Sequence, residues 1–346
     1  MFVVPGSIDT RTGGYEYDRR VMDGLRARGW DVQLVSLGEG FPFPSDTVRQ
    51  EAAAAIARLP DAALVVVDGL ALGVLPTELS AHATRLRLVA LVHHPLALET
   101  GLAPADAAKL RDSETRALAL CGPVVVTSPA TAARLQDFGV DPGRVTVAVP
   151  GTPRAKMAGG SGSDRVRLLT IGTLVPRKGH DVLLRALARL IDLNWELVLA
   201  GSPQRDVRTA HALMEQARVA NLLSRVTFPG ELSAAGLDEQ YDRADVFVLP
   251  SVYEGFGMVA AEALAHGLPV VASDTGGIRA LLAGQAGILC PPGDTDALEA
   301  ALRRVVGDRD VRATLAAGAR AVRAGLVTWG ETAGTVERAL MQAVAA

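Results

Sequence analysis

Apolar residues in this chain fall into short unbroken runs, separated by longer stretches in which they recur every three or four positions. The runs of the first half lie at 2–4, 31–37, 63–67, 88–93, 123–127 and 145–149, and those of the second half at 166–171, 196–200, 246–249, 269–272 and 287–289. Several, such as Val246–Phe247–Val248–Leu249, show no alternation with polar residues. A strand that is apolar at every position has both faces covered, which is the condition of parallel strands flanked by helices. Strand–helix–strand repetition along the whole length predicts an α/β, doubly wound architecture.

At 346 residues the chain is long for one core and sufficient for two. The one sustained stretch of small, weakly hydrophobic residues runs through Pro150–Gly151–Thr152–Pro153 and then from Met157 to Asp164. It reads as an interdomain linker. The expected division is therefore a Rossmann-like domain over 1–150, a linker over 151–164 and a second Rossmann-like domain over 165–329. Two such domains on one linker leave a cleft between the carboxyl ends of two sheets, where open α/β sheets bind ligands.

Composition narrows the partners. A formal net charge of −3 argues against a nucleic-acid surface and against strong attraction to anionic lipid. Two cysteines, Cys121 and Cys290, one in each half, fit a reducing compartment without a disulfide framework. The first residues carry no basic segment and no long apolar stretch, and no run approaches a membrane span. The expected location is cytoplasmic, with peripheral association at the inner membrane left open.

Candidate chemistry concentrates at Glu254–Gly255–Phe256–Gly257, with Glu262 eight residues after Glu254. This segment follows an apolar run and opens a helix-like stretch from Met258 to His266. Glycine-flanked backbone amides at a helix N-terminus favour a phosphate. Glu254 stands in the turn before the helix and Glu262 within it, so one carboxylate can lie at the mouth of a site and the other deeper. A diphosphate with hydroxyl-rich sugars on either side would use that array. Two other readings fit the same letters. Gly255–Phe256–Gly257–Met258–Val259–Ala260 satisfies the dinucleotide fingerprint, with Asp274 after the next strand, as in a dehydrogenase. Against it, four residues separate Pro250 from Gly255, whereas the fingerprint places its glycine at the strand-to-helix turn itself. A glycine turn before a core helix with two solvated glutamates is the other.

Further candidates lie elsewhere. Arg177 and Lys178 follow a strand and a proline-bearing turn. His93 and His94 end an apolar run before Pro95, and neighbours on a strand face opposite ways, so one of them should face the cleft. No metal partners for them appear at suitable spacing. Gly13–Gly14, between the first run and a helix, lets backbone approach a ligand closely. The Asp-x-Asp pairs Asp294/Asp296 and Asp308/Asp310 read as helix caps and solvated charge, with Asp296 the expected N-cap of a helix over 297–306. No metal site is expected.

Together these segments resemble the retaining glycosyltransferases of family 4, with the GT-B fold and the E-x7-E motif. The resemblance rests on Glu254 and Glu262, on 171–179 as the donor phosphate loop, on Gly13–Gly14, on Leu91–Val92–His93, on 273–277 and on Thr328–Trp329. It implies two Rossmann-like domains facing each other across a cleft, acceptor domain first and donor domain second, with a C-terminal helix, 330–346, returning to the first. It implies transfer of a sugar from a nucleoside diphosphate sugar to a hydroxyl of a glycan or small-molecule acceptor, without cofactor or metal. On this reading His93 and Glu254 are catalytic and contact the donor sugar. Gly14, Arg177, Lys178, Phe256 and Gly257 serve the sugar and diphosphate, and Glu262 binds the ribose. The first domain's loops at 40–45 and 96–104 would face the acceptor. Two positions depart from the family pattern. Thr173 stands where an arginine is common, with Arg177 as its stand-in, and Arg279 lies near a usual glutamate. A nucleotide-sugar epimerase, or a non-catalytic nucleotide-sugar-binding protein, would share these features.

Overall fold

The structure, a computed structural model, describes residues 1–10, 12–99 and 101–345. Thr100, within the second expected acceptor loop, and Ala346, at the end of the expected returning helix, lie outside the described residues. Two compact units emerge, one made of Met1–Gly151 with the chain from Val327 onward, the other of Thr152–Leu326.

Among the described residues the first unit holds a six-stranded, all-parallel sheet of β1 (Phe2–Val4), β2 (Leu34–Ser36), β3 (Leu64–Asp68), β4 (Arg87–Val92), β5 (Val124–Val126) and β6 (Val145–Val147), in the order β2-β1-β3-β4-β5-β6. The second holds β7 (Val166–Ile171), β8 (Trp195–Ala200), β9 (Val226–Gly230), β10 (Val246–Leu249), β11 (Val270–Ser273) and β12 (Gly287–Cys290), also all parallel, in the order β12-β11-β10-β7-β8-β9. The second order is that of a Rossmann sheet. Each sheet has a switch point where the winding reverses, between β1 and β3 in the first and between β10 and β7 in the second.

Unbroken apolar runs have their expected cause. In the first sheet Val3, Val65, Val67 and Ala90 feed one buried cluster, while Phe2, Val4, Val66, Val89 and Leu91 feed another on the opposite face. In the second, Leu168, Val246 and Val248 point one way, and Leu169, Phe247 and Leu249 the other. Parallel strands with helices on both faces leave no polar face to alternate with.

The helix Trp329–Ala345 belongs to the first unit and buries Val336, Ala339 and Leu340 with Phe2, Val4 and Tyr17. It crosses the helix Gly13–Ala27 so closely that a β-carbon on Gly24 would collide with that of Ala333. Arg28 Nη1 and Trp30 Nε1 each donate to Glu337 at 2.9 Å.

The sequence reading differs from the structure at several elements. It has no strand at 226–230; β9 is an edge strand carrying Pro229, and a proline weakens the strand pattern except at an edge, where it is tolerated. β2, also an edge, is confined to Leu34–Ser36. β4 ends at Val92, so strand alternation does not orient His93 and His94. The helix Thr295–Gly307 is capped by Asp294, which accepts from Ala297 N at 2.9 Å, whereas Asp296 sits in the first turn and pairs with Arg189.

Candidate functional site

In the second unit the loops after β7 and β10 meet at the switch point, outside the carboxyl ends of the strands, which is where open α/β sheets take ligands. Gly179, in the left-handed region at φ 65°, ends a short 3-10 turn, Pro176–Lys178; a β-carbon there would strike the Pro250 carbonyl. This contact draws the two loops together. Arg177 Nη1 donates to the Tyr253 carbonyl at 3.2 Å, and Val252 N donates back to the Arg177 carbonyl at 2.9 Å. Lys178 Nζ lies 2.6 Å from Glu254 Oε2, which also accepts from Ser251 Oγ at 3.3 Å. The Lys178 and Glu254 side chains are only 14% and 15% exposed, so each neutralises a charge that would otherwise be poorly solvated.

Gly257 then turns the chain into the helix Met258–Ala265 at φ 88°, against Ile278, whose side chain leaves no room for a β-carbon. No side chain caps this helix. Met258 and Val259 N therefore have no side-chain acceptor, at the positive end of the helix dipole. Phe256 is half-buried just before the turn. Glu262, two turns on, accepts from the buried Tyr241 hydroxyl at 2.9 Å, and Tyr241 stacks on His266 with ring centroids 4.8 Å apart. Burial, then the Glu262 charge, drives the Tyr241 phenol far above its usual range, so it stays a donor. Arg279 forms a two-pronged ion pair with Asp274 and is engaged there.

In the first unit the helix Gly13–Ala27 starts at its Thr12 cap, which accepts from Tyr15 N at 3.2 Å. Gly14 faces the His93 ring; a β-carbon would come to 3.4 Å from His93 Cδ2. Asp18, one turn on and fully buried, places Oδ1 at 3.0 Å from His93 Nε2. Asp68 ends β3 and caps the next helix by accepting from Leu70 N at 2.9 Å, and its Oδ2 lies 3.3 Å from the same Nε2. Tyr17 packs edge-on against the ring at 5.2 Å. Thr127 and Thr131 hydroxyls both donate to the His93 carbonyl at 3.3 Å. Burial works against the charged imidazole, but the Asp18 and Asp68 carboxylates outweigh it and lift His93 to about 10. Burial pushes Asp18 up to about 6, with the neighbouring Asp68 adding to the rise and His93 opposing it. Beyond His93, the buried Glu114 carboxylate accepts from Leu96 N at 2.6 Å and Ala97 N at 2.9 Å, and burial raises it to about 7.

The structure thus brings Arg177, Lys178, Glu254, Phe256, Gly257 and Glu262 to one switch point, and Gly14 and His93 to the other. Among the described residues Asp18, Asp68 and His93 form the one group of His, Cys, Asp and Glu whose ligand atoms converge, all within 4.8 Å. The direct hydrogen bonds account for that convergence. Asp18, Asp68, Tyr241 and Ser251 escaped the sequence reading. Asp18 did leave a signal, since it sits on the apolar stripe of its helix with Tyr17, Val21, Met22 and Leu25.

Residues 165–308 match the family model described as glycosyl transferases group 1, so this segment is a domain of the transferase class. A D-inositol 3-phosphate glycosyltransferase from Stackebrandtia nassauensis is 37% identical over 217 residues, covering 57% of this chain and 48% of the relative. The chain spans about half the length of the curated relatives it matches. Among solved structures, sucrose-phosphate synthase from Thermosynechococcus elongatus superposes with a TM-score of 0.84 at 23% identity over 99% of each chain. HepE from Anabaena, solved with UDP and glucose, gives 0.75 at 18% identity over 98% of this chain and 99% of its own. These likenesses give the chain the GT-B type of α/β fold.

Proposed function

We propose that the protein is a retaining, metal-independent glycosyltransferase of family 4, which moves a sugar from a nucleoside diphosphate sugar to an acceptor hydroxyl. The observation that carries this reading is the Lys178–Glu254 pair beside the uncapped start of Met258–Ala265, with Glu262 deeper, inside the matched segment. A cation, free amides and two carboxylates at one switch point suit a ligand with diphosphate in its middle and hydroxyls at both ends. UDP-sugars are the first donors to try, given the UDP bound by HepE.

On this reading Lys178 and the helix amides hold the diphosphate and stabilise it as it departs. Glu254, released from Lys178 as the phosphate takes over that cation, accepts donor-sugar hydroxyls, and Glu262, set by Tyr241, accepts the ribose hydroxyls. Arg177 ties the two loops together through one Nη1 bond to the Tyr253 carbonyl, which leaves its other N–H groups for the phosphate. Gly14 and His93 serve the transferred sugar. Metal independence is supported by what the acidic pairs already do, Asp294 and Asp308 capping helices and Asp296 pairing with Arg189. The positive charge that a metal would bring to the diphosphate comes from Lys178 and the helix N-terminus. Proton NMR of slow donor hydrolysis tests the chemistry. Free sugar should appear first with the donor's anomeric configuration, at a rate unchanged by EDTA. Inversion, or loss of rate with EDTA, contradicts the reading.

A further inference from the structure

Two carboxylates on a single ring nitrogen carry the inference. His93 Nε2 has Asp18 Oδ1 at 3.0 Å and Asp68 Oδ2 at 3.3 Å. Ionised carboxylates only accept, so with both charged Nε2 carries a proton, and the ring then has one tautomer available if neutral. Asp18 is fully buried, its Oδ2 meets no hydrogen-bond donor, and Asp68 is almost as enclosed. Two carboxylates this close in a buried site repel unless a positive charge stands between them, and the imidazole is where that charge fits. The three groups come from separate elements, the helix Gly13–Ala27, the end of β3 and the end of β4, so the sheet itself sets their spacing. Gly14 backs the Cδ2 edge, Tyr17 the side, and Thr127 and Thr131 fix the carbonyl.

We propose that Asp18 and Asp68 are positioning residues that hold His93 as a fixed imidazolium, so that His93 works as a hydrogen-bond donor and electrostatic group and never as a general base. With Nε2 committed inward, Nδ1–H is the group left to act, and the ring is 24% exposed to do so. Among the described residues the charged and titratable groups against the ring are Asp18 and Asp68, with the Tyr17 phenol held protonated by burial and bonded to the Ala148 carbonyl at 2.8 Å. What His93 donates to rests on the glycosyltransferase reading; its charge state does not.

The test is an NMR pH titration of the intact protein carrying ring-labelled histidine, the six imidazoles assigned by single substitutions. In the wild type the His93 signal should remain that of the cation at about pH 7.5, where an ordinary histidine is neutral. In Asp18→Asn and in Asp68→Asn its midpoint should fall by about 1–3 units. A wild-type His93 that is neutral at that pH overturns the proposal, even if neither variant folds. So does a His93 signal displaced by added Mg²⁺ or Zn²⁺, which would make the cluster a metal site. Neither measurement involves a donor, so nucleotide-sugar binding can fail while this proposal holds, and the reverse. Where activity is found, the alkaline limb of its pH profile should move toward neutrality in Asp68→Asn. An acidic limb near pH 6–7 that disappears in His93→Gln would mark a general base and overturn it.

Discussion

Individual side chains here are legible from sequence when their chemistry follows a short local pattern, and hidden when it depends on the sheet. Lys178, Glu254 and Glu262 lie in motifs whose spacing is local. Asp18 and Asp68 reach His93 from 75 and 25 residues away, a meeting that only the parallel order β1-β3-β4 creates. Buried histidine makes the same point with a measurable consequence. His180, after Gly179, is 2% exposed; burial first, then Lys178, lower it to about 4, against the opposing pull of the Gly172 and Thr173 backbone. The neutral form is native, so the unfolded chain binds more protons between the folded value and 6.5. Its contribution to stability is therefore full above about pH 6.5 and is lost as pH falls toward 4. Relative to His180→Met, the wild type should lose about 3 kcal/mol on going from pH 7 to pH 4, read by urea unfolding at each pH. Parallel pH profiles for the two proteins would contradict this placement of His180.

Elements follow the same rule, since central strands declare themselves and edges do not. β10 and β7, buried on both faces, were plain as apolar runs, while β9 with Pro229 was not. Helix contacts show their basis in small residues. Gly24 is a mid-helix glycine, where alanine should ordinarily stabilise by about 0.5–1 kcal/mol. Its approach to Ala333 reverses that expectation. Gly24→Ala should destabilise the protein by about 1–3 kcal/mol through overpacking. Ala333→Gly, added to it, should restore part of the loss beyond additivity, measured as a double-mutant cycle in urea. A stabilising Gly24→Ala would mean that the helices Gly13–Ala27 and Trp329–Ala345 do not pack as described.

At the scale of the molecule, composition and periodicity led to two doubly wound units, and both sheets have that form. Arg177, Lys178, Glu254, Phe256, Gly257 and Glu262 fall in Thr152–Leu326, within the segment that matches glycosyl transferases group 1, whereas Gly14, His93 and its carboxylates lie in the other unit. No described helix is long and apolar enough to cross a membrane. Sequence could not name the acceptor, because the loops at 40–45 and 96–104 carry no motif whose chemistry selects one. The central claim is that the second switch point binds a nucleoside diphosphate sugar through Lys178, Glu254 and Glu262. Thermal-shift titration with UDP-, GDP- and ADP-sugars and with NAD, on the wild type and on Glu262→Ala, tests it most directly. One nucleotide family should stabilise the wild type, and Glu262→Ala should weaken that binding about 10- to 100-fold, as expected for loss of a charge-assisted hydrogen bond. Stabilisation by NAD alone, or donor affinity unchanged in Glu262→Ala, would contradict it.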